Sequence, residues 1–145
     1  MSEANKALVR RWLAEMDKRN PHIVDELVAV DYIDHNPPIP DLAPGREGVK
    51  QANVLLLKAF PDATHTIEDQ IAEGDKVVTR MTVRGTFLGE YLGIPPNGKQ
   101  ITVAGIMIHR IAGGQLVEHW AVADNLSCFQ QLGVNVLFYA LLAIV

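Results

Sequence analysis

Asp124 ends the run Gly114-Gln115-Leu116-Val117-Glu118-His119-Trp120-Ala121-Val122-Ala123-Asp124. Strict two-residue alternation along a strand puts Leu116, Glu118, Trp120, Val122 and Asp124 on one face. That face is mostly apolar, and a carboxylate left there without a purpose is costly. A carboxyl group in an apolar pocket is well suited to take a proton from a carbon beside a carbonyl and return it later. Asp124 is therefore the first catalytic candidate, as a general acid/base. It has a competing role. Asp124-Asn125 precedes a predicted helix, and both residue types are good N-caps.

His35 is the second catalytic candidate. It lies in Asp34-His35-Asn36-Pro37-Pro38, a loop stiffened by prolines that cannot be helical. A neutral imidazole there could hydrogen-bond a substrate carbonyl or orient water. It could equally be tied to a neighbouring backbone carbonyl. His109 falls on the Asp124 face, but a two-residue Gly113-Gly114 hairpin loop pairs Ala112 with Gln115. Counting back sets His109 opposite Glu118, Met107 opposite Trp120 and Val103 opposite Asp124. His109 and Asp124 are then about 20 Å apart at ~3.3 Å per residue, and His109 is expected beside Glu118. A one-residue bulge would exchange the faces beyond it. Trp120, Trp12, Tyr32, Phe60, Met107 and His109 are the expected ligand contacts. Together they suit a flat hydrophobic molecule, although each is also an ordinary core residue.

The remaining chemistry is sparse. His119 is expected on the face away from Trp120, and His22 and His65 on the surface. No His-Glu-x-x-His spacing exists, and Asp34-His35 offers two metal ligands without a third, so no metal site is expected. There is no glycine-rich phosphate loop and no nucleophile elbow.

These residues need a scaffold. Leu8, Trp12 and Met16 recur at helical spacing within a helix over 3–19, and Asn20-Pro21 opens a second over 21–29. Tyr32-Ile33 is a candidate short strand. A third helix runs over 46–60. The period then changes to two: strands are expected over 64–72, 76–87, 100–112 and 114–124, with turns at Glu73-Gly74-Asp75 and Gly113-Gly114. A short helix over 125–132 stops at Gly133. Helices first and strands last make the class α+β.

The chain has 145 residues, with 48% hydrophobic and 21% charged residues and a net charge of −4. That suits one domain over 1–133, followed by an apolar tail over 134–145 of uncertain structure. The negative balance and absence of a basic stripe argue against nucleic acid or an anionic membrane as partner. The lone Cys128 cannot form an internal disulfide and fits a reducing cytoplasm. An apolar outward row of Thr102, Ala104, Ile106 and Ile108 would mark a homodimer face.

Four stretches together resemble the SnoaL-like polyketide cyclases, in the cone-shaped α+β group that includes ketosteroid isomerase and scytalone dehydratase. They are Tyr32-Ile33-Asp34-His35-Asn36-Pro37, Phe60-Pro61-Asp62, the run from Arg84 through Gly98-Lys99, and the run from Gly114 through Asp124. The resemblance implies N-terminal helices packed on a curved, mainly antiparallel sheet that encloses a pocket. It implies ring closure by intramolecular aldol condensation, with an acid/base Asp that matches Asp124 and with no metal or organic cofactor. Related sequences often have His where Phe87 stands here. The expected activity is acid/base chemistry on a small hydrophobic carbonyl compound. Isomerisation, dehydration, epoxide hydrolysis and non-catalytic binding of a hydrophobic ligand are the alternatives.

Overall fold

The computed structural model describes residues 2–135. Its elements are α1 (Ser2–Asp17), α2 (Ile23–Leu27), β1 (Val28–Asp34), α3 (Gly45–Ala59), β2 (Thr64–Glu73), β3 (Lys76–Thr86), β4 (Gln100–Ala112), β5 (Gln115–Ala123) and α4 (Asn125–Gln131). The strands form one sheet in the order β1-β5-β4-β3-β2. β1 runs parallel to β5, and the other neighbours are antiparallel. The α+β class and the helix-on-sheet packing agree with the sequence. The second helix is shorter than expected. Its last expected residues, Val28 and Ala29, begin β1 instead, and they are buried there. The tail over 136–145 lies outside the described residues.

α1 packs on β2 and β3, and α3 packs on β1. The buried residues of α1, namely Val9, Trp12 and Leu13, keep the predicted stripe against the sheet. They join Val77, Ile111 and Leu116 in one core cluster. A second cluster holds Phe60 and Phe87 together with Cys128 and Leu132 around α4. Gly113 and Gly114 have φ of 58° and 72°, as a tight primed hairpin turn requires.

Two bulges decide which side chains face the helices. On β2 the register slips between Ile67 and Asp69. Gln70 beyond it points inward and bonds Thr79 Oγ1 at 3.2 Å, whereas Asp69 faces out to Arg80. On β5, Leu116 is opposite Ile111 but Glu118 is opposite Arg110, so Val117 is an extra residue without a partner on β4. Past Val117 the faces are the reverse of strict alternation. His119, Ala121 and Ala123 line the cavity beneath the helices; Glu118 and Trp120 face away, against Arg110 and His35.

This corrects the predicted pairing. His109 stands opposite His119, not Glu118, and Trp120 opposite Ile108, not Met107. The physical reason is Glu118. Strict alternation would seat its carboxylate beside the fully buried Leu116, and the bulge turns it out to Arg110 at 2.7 Å. Thr102, Ala104 and Ile106 are exposed on the outer face as expected. Among the described residues, no helix is long and apolar enough to cross a membrane.

Candidate active site

Sheet and helices enclose a cavity of about 1070 Å³. Its wall includes Trp12 from α1, Tyr32 from β1, Phe60 after α3, and Met107 and His109 from β4. These five expected ligand contacts come together. Trp120, His35 and Asp124 do not belong to the wall. Trp120 stacks on His35 on the outer face, with ring centroids 4.8 Å apart and planes 5° apart. His35 Nε2 lies 2.8 Å from Glu118 Oε1. Both were expected inside, and the Val117 bulge carries Trp120 out.

Asp124 is exposed and is the N-cap of α4, its Oδ1 accepting the Ser127 N–H at 3.0 Å. Its competing role is thus the one the geometry displays. Its chain neighbours Ala123 and Asn125 both line the cavity, so it stands at the rim.

The polar floor of the cavity is a cluster that sequence reasoning missed. His119 Nδ1 lies 3.1 Å from Asp34 Oδ1. The Asn36 N–H also donates to that oxygen at 3.0 Å. Burial alone would push the Asp34 carboxyl up. The His119 hydrogen bond and charge, the Asn36 N–H and the nearby His109 outweigh it and hold Asp34 below the usual carboxylate range. An ionised Asp34 assigns the proton of neutral His119 to Nδ1 and leaves Nε2 as a bare acceptor.

His109 is 2% exposed, and its ring centroid is 4.7 Å from that of His119. Burial, with a smaller contribution from His119, drives its pKa from 6.5 down to about 3, against the pull of Asp34. It is neutral at ordinary pH. Its Nδ1 is buried and has no hydrogen-bond partner among the described residues, an uncommon state for a native polar atom. Burial and the Asp34 charge both raise the Tyr32 hydroxyl pKa, so Tyr32 is a standing proton donor. The signal that could have exposed this cluster was Glu118. Its charge argues for a bulge on β5, and the bulge turns His119 inward.

Among the described residues, no group of three His, Cys, Asp or Glu side chains is placed to hold a metal. The cavity is lined mainly by apolar groups with a few converging polar ones, the usual make-up of a small-molecule site. The arrangement offers a base at His119 Nε2, an orienting carboxylate and a protonated phenol.

The sequence matches the family described as SnoaL-like polyketide cyclase over residues 7–132. The chain belongs to that family. Two similar solved structures place this SnoaL-like protein among cone-shaped α+β folds. TsrD from Streptomyces laurentii has TM-score 0.81 at 32% identity, covering 90% of this chain and 96% of that one. IdmH from Streptomyces antibioticus has TM-score 0.77 at 31% identity, covering 90% and 99%. A curated relative, the aklanonic acid methyl ester cyclase DnrD of Streptomyces peucetius, is 27% identical over 87% of this chain and 88% of its own. The SnoaL-like assignment supports cyclase-type chemistry without naming a substrate.

Proposed function

We propose that this protein closes a ring in a flat, hydrophobic polyketide-type substrate by intramolecular aldol addition, with His119 as the base. The observation that carries this reading is the Asp34–His119 contact on the cavity wall beside a buried, neutral His109. His119 Nε2 takes a proton from a carbon flanked by two carbonyls. The C–H electron pair becomes an enolate, whose carbon attacks a second carbonyl carbon of the same molecule. The new C–C bond forms as the carbonyl π pair becomes an alkoxide. Tyr32 donates a hydrogen bond to that oxygen, and the imidazolium returns its proton there. No co-reactant is consumed. Asp34 holds the ring and stabilises its charged form.

A second reading keeps Asp124 as the acid/base. Its place at the rim, between two cavity-lining residues, and the family resemblance favour it. One experiment separates the two. Aklanonic acid methyl ester, the compound named for DnrD, is offered to the wild type, His119→Asn and Asp124→Asn, and ring closure is followed by chromatography. Asn at 119 keeps a donor toward Asp34 and removes Nε2; Asn at 124 keeps a capping side chain and removes the acid. The first reading expects His119→Asn to bind but turn over on the order of 10²- to 10⁴-fold more slowly. Full turnover in His119→Asn, with loss in Asp124→Asn, would replace it by the second.

A further inference from the structure

The cavity wall carries another carboxylate–imidazole pair that the chemistry above does not use. Asp17 closes α1, and His65 is near the start of β2. Asp17 Oδ1 lies 2.6 Å from His65 Nδ1, and Oδ2 accepts the His65 backbone N–H at 2.9 Å. The two side chains are only 21% and 22% exposed. Gripping the residue at two points fixes the ring and puts its proton on Nδ1. The other nitrogen, Nε2, is then an acceptor, and no described residue hydrogen-bonds it. The ring lines the same cavity as His119.

Arg19 does not compete for this pair. Its guanidinium donates to the carbonyl oxygens of Met16, Asp17, Pro61 and Ala63. It locks the corner where α1 meets β2.

Register separates the two pairs. His65 is opposite Val83, and Val83 is opposite Val103. Six residues along β4 part Val103 from His109, about 20 Å along an extended strand. That is too far to pass one proton between the pairs. It suits gripping the two ends of one ligand.

We propose that His65, oriented by Asp17, is a hydroxyl-accepting subsite. It binds the phenolic or enolic O–H at the end of an elongated planar ligand remote from His119. The proposal rests on the reading that the cavity takes a planar ligand, but not on which residue is the base.

The test compares 2,6-dihydroxyanthraquinone with unsubstituted anthraquinone, by calorimetry on the full chain. His65→Asn keeps a donor toward Asp17 and removes Nε2, whereas His65→Gln offers an amide oxygen near the lost Nε2. The expected result is roughly tenfold weaker binding of the dihydroxy probe to His65→Asn, unchanged binding of anthraquinone, and partial recovery in His65→Gln. An equal loss for both probes, or no preference for the dihydroxy probe in the wild type, overturns it. Should His65→Asn fail to fold, the nitrogen-15 resonance of His65 Nε2 in the wild type decides. It moves on adding the dihydroxy probe if the nitrogen accepts the hydroxyl, and a fixed resonance overturns the proposal. Absence of turnover on every substrate would sink the cyclase reading and leave these binding differences intact.

Discussion

His109 and His119 face each other across two antiparallel strands, with ring centroids 4.7 Å apart, and Asp34 holds only the second of them. The asymmetry assigns their roles. His119 has a carboxylate to stabilise its charged form; His109 has burial and a neighbouring imidazole, both of which oppose charge. One imidazole is thus held in place by a carboxylate, and its neighbour is buried and neutral.

His109 makes stability pH-dependent. Its folded pKa, about 3, lies below the unfolded value of 6.5. The unfolded chain binds the extra proton between those values, so the stabilisation is complete above about pH 6.5 and fades as pH falls toward 3. The slope from this residue approaches about 1.4 kcal/mol per pH unit within that window. Urea melts of wild type and His109→Leu from pH 7 to pH 4 check this: the variant loses stability less steeply.

Asp34→Asn keeps the shape and removes the charge that stabilises protonated His119. Turnover is expected to fall on the order of 10²-fold, and the His119 ring is expected to lose its fixed tautomer, since Asp34 is its Nδ1 partner. Kinetics and imidazole NMR read the two effects. Unchanged turnover with an unchanged His119 tautomer would remove Asp34 from the mechanism.

The Asp124 cap has its own signature. Asp124→Ala loses the bond to Ser127 N–H and is expected to cost roughly 0.5–2 kcal/mol, whereas Asp124→Ser retains most of it. Thermal melts of both variants measure the difference. Equal melting temperatures for Ala and Ser would argue against a stabilising cap.

Gly48 reverses a common rule. Alanine is the better helix former by roughly 1 kcal/mol, and Gly48 sits within α3. A Cβ there would meet the Ala43 carbonyl oxygen at 2.0 Å. Gly48→Ala is expected to lose about 1–3 kcal/mol and to displace the 41–44 loop, part of the cavity wall. Denaturant melts and ligand affinity report both; a more stable variant would mean the loop yields freely.

His35 and Trp120 lie on the outer face, stacked on each other. His35→Ala is expected to leave turnover within about twofold, because the His35 bond to the His119 carbonyl at 3.0 Å is made by its backbone N–H, which alanine keeps. A loss approaching that of His119→Asn would return His35 to the mechanism.

The sequence by itself determined the elements, the α+β class and the family. Those depend on short-range signals: the Leu8-Trp12-Met16 stripe, the change of period after Phe60, and the glycine turns at 74 and 113–114. It also pointed to Trp12, Tyr32, Phe60 and Met107 as neighbours of one cavity, from their residue types and the expected architecture together, and all four line it. Only the tertiary structure decided which polar groups meet there. Strand alternation is a parity, so the single unpaired Val117 inverts every assignment after it. It exchanges Trp120 for His119. The partners then come from far along the chain: Asp34 is brought to His119 by the parallel β1–β5 pairing, and Asp17 to His65 by α1 packing on β2. Local periodicity carries no information about such meetings, because they are set by which strands become neighbours and in which register.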